Sequence, residues 1–256
     1  MREDKKTIAQ LLKLYSGVSV IYLGLAITAI FLVNGATFPL NTTYWTSNNL
    51  VSQTSTVFAI ASRNLNYVEF KWALEFLLVF SLITPILYVV MNLEGARKRA
   101  NAHLNLLRWI DWNISGTLIL LIVSALIGVQ DLMTFILIAG LSAISYLLTR
   151  NSLTTDKSQY RLNCALGKIS GVLPYLLILI YITGTFVFGE VRSPWFVYVL
   201  LVISLINLVV MLLSNRIKNM LIKNKFSSLK QEQIYLGFIS LIKVAFSAVL
   251  ILGLRG

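Results

Sequence analysis

Apolar residues fall into long, nearly unbroken runs separated by polar breaks: Leu14 to Val33, Trp72 to Met91, Trp109 to Val129, Leu132 to Leu148, Ile169 to Phe188, Trp195 to Leu213 and Ile234 to Leu252. A helix rises about 1.5 Å per residue, so roughly 20 apolar residues cross the hydrocarbon core of a bilayer. The pattern predicts an all-α membrane protein, a bundle of seven transmembrane helices. Only Gln130 and Asp131 separate the third and fourth runs, which requires a tight antiparallel helical hairpin. The first run is too long for the apolar part of a signal peptide and has no small-residue cleavage site, so it reads as a retained helix. Asn34 to Lys71 forms the long connection. Its polar, β-prone and turn-rich composition, from Gly35 and Pro39 through Asn41, Thr42, Thr43, Tyr44, Trp45, Thr46, Ser47 and Asn48, suggests a short β-hairpin over one mouth of the bundle. After the sixth run, Arg216, Lys218, Lys223, Lys225 and Lys230 interleave with Ile217, Met220, Leu221, Ile222 and Phe226, the pattern of an interfacial amphipathic helix. No internal repeat or low-complexity linker divides the chain, so residues 1–256 are read as one domain.

Composition removes the soluble alternative: 57% of residues are hydrophobic and only 12% charged. The charges that remain set an orientation, because cytoplasmic loops near helix ends are enriched in Lys and Arg. The N-terminal segment and the 2–3, 4–5 and 6–7 connections hold 17 of the 22 basic residues, whereas the opposite side holds Arg63, Lys71, Arg192 and Arg255. The expected arrangement has the N-terminus cytoplasmic, the C-terminus external and the long loop outside. A net charge of +12 spread along one membrane face is a match for anionic lipid, and no nucleic-acid partner is expected. The single cysteine, Cys164, allows no intrachain disulfide. No metal site is expected.

The remaining basic residue is Lys243, in the last apolar run with nine uncharged residues on either side. A bare ammonium at bilayer mid-depth costs several kcal/mol, so it requires a cavity, a partner or a chemical purpose. From the midpoint its stem is too short to reach either surface. Two readings stand. One is covalent use, since a lysine in an apolar pocket is a favoured site for a Schiff base with an aldehyde; the other is a structural ion pair. Asp111 is the only carboxylate well inside a run from the cytoplasmic side, Glu75 lying one turn into helix 2 from outside, and pairing would offset the desolvation of both charges. Helical spacing puts Arg108, Asp111, Trp112 and Ser115 on one face. Measured from the ends of their runs, Asp111 and Lys243 differ in depth by roughly 10 Å, which an earlier start of helix 3 near Asn101 or an earlier end of helix 7 would accommodate.

Arg108-x-x-Asp111-Trp112-x-x-Ser115 resembles the third-helix signature of microbial rhodopsins: an arginine, a carboxylate counterion, a tryptophan flanking retinal and a small hydroxyl residue. A mid-helix lysine in helix 7, here Lys243, is that family's retinal attachment site. The inward N-terminus is similar to the heliorhodopsin branch, as are the long external loop, Gly171-Val172-Leu173-Pro174-Tyr175 in helix 5 and Pro194-Trp195-Phe196-Val197-Tyr198 opening helix 6. The resemblance implies all-trans retinal bound to Lys243 as a protonated Schiff base, Asp111 as counterion, Ser115 and Ser240 as hydrogen-bond partners, Arg108 setting the field, and Trp112, Phe196 and Tyr198 as further pocket residues. It also implies a homodimer in the cell membrane, a light sensor and not an enzyme, and an unidentified cytoplasmic signalling partner.

Three departures qualify that carry-over. Heliorhodopsins usually have glutamate as counterion, one methylene longer than Asp111. They usually place histidines in helices 1 and 2, where this chain offers Ser16, Ser19, Ser81 and Thr84; its one histidine, His103, falls at the cytoplasmic start of helix 3. Ion-pumping relatives carry a second carboxylate four residues before the lysine, where this chain has Ile239. With no deep carboxylate on the external side, signalling is expected over pumping. The alternatives are a light-gated passive proton or cation conductor with Glu69, Glu75 or Glu190 at its mouth, and a seven-helix protein without retinal.

Overall fold

The computed structural model describes residues 2–33, 35–48, 57–93, 100–152, 157–188, 193–223 and 228–255, with side chains described for 10–33, 35–42, 62–87, 109–151, 159–187, 193–213 and 233–255. Glu190, Arg192, Lys225 and Phe226 lie outside the described residues, as do the side chains of His103 and Arg108.

Among the described residues seven helices form: α1 (Arg2–Leu32), α2 (Phe70–Leu93), α3 (Ala100–Ile127), α4 (Leu132–Ser152), α5 (Lys157–Phe188), α6 (Trp195–Lys223) and α7 (Ser228–Leu254). Each is long and apolar enough to cross a membrane. Their outer faces carry exposed Val20, Phe31, Trp72, Ile180 and Leu241. Apolar side chains exposed all round a bundle suit a hydrocarbon solvent, where every backbone group is satisfied within its own helix.

Consecutive helices pack side by side, and α1 closes the circuit against α7. Helix α3 touches α2, α4, α5, α6 and α7, and its apolar span is the most buried of the seven. Within that span Asp111 is the one charged residue, and most of the side chains face other helices. Gly128, at φ 105°, ends α3 in the left-handed region, and the Val129 amide reaches back to the Ser124 carbonyl at 3.0 Å. Asp131 then caps α4 by accepting from the Thr134 amide at 2.9 Å and the Thr134 hydroxyl at 3.0 Å.

The helices run past the apolar runs, and the long overhangs share one end of the bundle, the end rich in Lys and Arg. There α1 begins at Arg2, α3 at Ala100, α5 at Lys157 and α7 at Ser228, while α6 continues to Lys223. This corrects the expectation of a separate interfacial helix after the sixth run. Arg216 to Lys223 continue α6, since neither Gly nor Pro interrupts the helix after Leu213.

At the opposite end β1 (Thr37–Asn48) and β2 (Val57–Glu69) pair antiparallel, from Thr37 opposite Glu69 to Asn48 opposite Val57. A bulge follows Leu40: Leu40 faces Asn66 and Asn41 faces Asn64, leaving Leu65 without an opposite residue. The ribbon is pinned to the helices. The Asn41 amide donates to the Gln130 carbonyl at 2.8 Å, and the Phe38 ring lies 4.9 Å from Phe70 and 5.9 Å from Phe135.

Candidate functional site

Lys243 and Asp111 meet in the interior. The Lys243 Nζ lies 2.7 Å from Asp111 Oδ1 and 2.6 Å from Oδ2, and the two residues are 2% and 7% exposed. The depth mismatch inferred from the apolar runs does not separate them. Helix α3 starts at Ala100 and α7 runs to Leu254, so it is the earlier start of helix 3 that the structure contains. An ammonium and a carboxylate at this separation in a low dielectric attract strongly, and that attraction offsets the cost of taking both from water.

Around the pair the predicted residues divide. The Ser115 hydroxyl donates to the Asp111 backbone carbonyl at 2.5 Å, not to the carboxylate. Ser240, one turn before Lys243 on α7, is buried near Tyr22 of α1. Trp112 is buried with its ring 5.1 Å from Trp109, and its indole N–H donates to Asn207 Oδ1 at 2.9 Å. Phe196 and Tyr198 are not brought to the pair. Phe196 packs beside Gly253 and Tyr198 lies 6.1 Å from Phe186, both at the ribbon end, because α6 begins only at Trp195 and its first turn stays there.

Several residues here escaped the sequence reading. Asn207 passes the contact on, its amide donating to the Tyr146 hydroxyl at 2.9 Å, so Trp112, Asn207 and Tyr146 link α3, α6 and α4. Gly116 leaves room for this link: a Cβ there would overlap the Tyr146 hydroxyl. As the one amide inside its apolar run, Asn207 carried a readable signal. Tyr22 and Tyr146 carried none, because a tyrosine in an apolar run reads as one more large side chain.

Ser81 on α2 and Ser247 on α7 have buried hydroxyls without a partner among the described residues. Ser247 lies one turn from Lys243. Pro85 has no N–H to offer the Ser81 carbonyl, so α2 is weakened at the same serine.

A family model described as heliorhodopsin matches residues 11–251, nearly the whole chain. The chain belongs to the heliorhodopsin family. No match was found among curated proteins. Heliorhodopsins are retinal-binding rhodopsins, photoreceptors and not a classical enzyme family, and with its membrane-spanning helices this chain is an integral membrane protein. The residues present fit retinal: an amine enclosed in an apolar interior, a carboxylate on it, a buried indole beside it and, one turn away, a buried hydroxyl without a partner among the described residues.

Proposed function

We propose that the chain is a light sensor in which Lys243 holds retinal and Asp111 is the counterion. The observation that carries this reading is the buried contact between the Lys243 amine and the Asp111 carboxylate at 2.6 Å. Joined through its aldehyde to the Lys243 nitrogen as a protonated Schiff base, retinal supplies light absorption and isomerisation from the all-trans form. Everything else belongs to the chain. Asp111 balances the positive charge on the Lys243 nitrogen and fixes its direction, and Trp112, held by Asn207, gives the pocket a rigid wall. Arg108 lies one turn nearer the basic end. No second carboxylate lies one turn before Lys243, where Ile239 stands, so one acid bears the counter-charge.

The whole chain serves as one domain, with the basic end in the cytoplasm, the ribbon outside, and a homodimer in the cell membrane that reports to a cytoplasmic partner. The distribution of Lys and Arg supports that orientation. A passive light-gated conductance is the second reading, supported by Glu75, whose buried Oε1 has no partner among the described residues. Photocurrents that reverse with voltage favour the conductance, and their absence favours the sensor.

Adding all-trans retinal to expressed apoprotein tests the main reading. Wild type is expected to take on visible colour and Lys243→Ala to remain colourless while still inserting as a folded membrane protein. A coloured Lys243→Ala variant sinks the assignment.

A further inference from the structure

Trp112 follows Asp111 on α3 and shares a buried cluster with Ile239, one turn before Lys243 on α7, which sets its indole near the level of the ion pair. Trp109 stacks on the indole at 5.1 Å and Tyr146 meets it edge-on at 5.7 Å. Ring contacts alone leave its orientation open, because χ2 of a tryptophan is a broad, roughly two-fold torsion. Its single polar atom closes the choice. An indole N–H can only donate, so the Asn207 atom that meets it at 2.9 Å is Oδ1, and Nδ2 is left to donate to the Tyr146 hydroxyl at 2.9 Å. All three residues are buried, and a buried amide is tolerated only where its polar ends are served.

We propose that Asn207 is a positioning residue that selects the isomer of the chromophore in the dark: supplied by α6, it fixes the plane of the Trp112 indole and so the shape of the pocket beside Lys243. This inference rests on the retinal-binding reading. A straight polyene and a bent one differ in the room they need beside a flat wall. An indole held at its N–H excludes the bent form, whereas one released from α6 can turn about χ2 and admit it. Tyr146 is the second support, since without an acceptor for Nδ2 the amide loses one of its own two holds. An asparagine that only tied α3, α6 and α4 together would leave the isomer ratio unchanged in any variant that folds.

Asn207→Leu keeps much of the volume and removes both hydrogen bonds. In apoprotein, the ultraviolet resonance Raman band of the indole N–H that Trp112→Phe removes is expected at its hydrogen-bonded position in wild type and at its free position in Asn207→Leu. In the retinal-loaded variant, the dark ratio of all-trans to bent isomers, read by extraction and chromatography, is expected to fall about fivefold, the scale of one neutral hydrogen bond. Trp112→Phe should abolish that effect of Asn207→Leu, since the amide acts through the indole. If Asn207→Leu does not fold, Tyr146→Phe carries the test, and the indole band and the isomer ratio should move in the same directions by less. A free indole band in wild type overturns the inference, as does a coloured Asn207→Leu or, in its place, Tyr146→Phe protein with the wild-type isomer ratio. An equal fall in the Trp112→Phe background overturns it too. A wild-type chain that takes up no retinal overturns the retinal reading itself, and a hydrogen-bonded indole band in the same apoprotein tells that failure from a failure of the link.

Discussion

Asp111 and Lys243 each have one charged partner within reach among the described residues, and each would be costly to bury alone. Removing one member of a buried pair typically costs about 3–5 kcal/mol, because the survivor is left uncompensated. Asp111→Asn keeps the shape and removes only the charge, so it isolates the electrostatic role. With the counter-charge gone, the positive charge spreads away from the nitrogen and absorption moves to longer wavelength. Wild type should redden on acidification, as Asp111 protonates, and Asp111→Asn should lack that transition. The variant should also lose visible colour at an alkaline pH lower by about 1–3 units, since an opposite charge nearby favours the charged form and its removal withdraws that support. A spectrophotometric titration decides it. Should Asp111→Asn keep both the wild-type spectrum and the acid red-shift, another group is the counterion, and Glu75 is the next to test.

Gly116 makes a second residue-scale prediction. Gly116→Ala places a methyl group on Tyr146 and should destabilise the pigment by about 1–3 kcal/mol, the usual cost of overpacking. Tyr146→Phe vacates part of that space, so the double variant should lose less than the sum of the singles when thermal bleaching is followed.

Among the elements, the apolar spans were open to reading from sequence, but the overhangs were not. Hydropathy records where a helix meets hydrocarbon, and it falls silent where the same helix continues into water with Lys and Arg on its surface. For that reason the continuation of α6 to Lys223 looked like a separate amphipathic segment. The candidate site shows the same division. A charged residue in an apolar run announces itself, and Lys243 and Asp111 were found that way. Asn207, Tyr22 and Tyr146 gain their meaning only from which helices adjoin, which no single run encodes. The level of Asp111 against Lys243 was likewise hidden, because apolar runs do not record how far one helix is shifted along its axis against another.

The ribbon is the element whose attachment is most open to test. Phe38 is its half-buried anchor, wedged between Phe70 and Phe135. Phe38→Ala should cost about 1–2 kcal/mol, below the range for a fully buried phenylalanine. The loss should be local: hydrogen exchange should quicken in β1 and β2 while the interior of α3 keeps its protection.

For the molecule as a whole, a dimer is expected in mild detergent by light scattering, and a monodisperse monomer would count against it. Exposed apolar side chains do not by themselves mark the interface, because lipid asks for the same surface.

The overhanging helices make the bundle a set of levers. A helix packed firmly at the level of Lys243 and carried unbroken past the hydrocarbon turns a small tilt at that level into a sideways sweep at its tip, and the sweep grows with the length of the arm. Helix α6 reaches about 15 Å beyond Leu213 at the usual rise per residue. If the chain is the light sensor proposed above, it needs no moving loop to be felt from outside the membrane: the long basic stems would themselves be the pointer, and a protein resting on them would register the tilt as displacement.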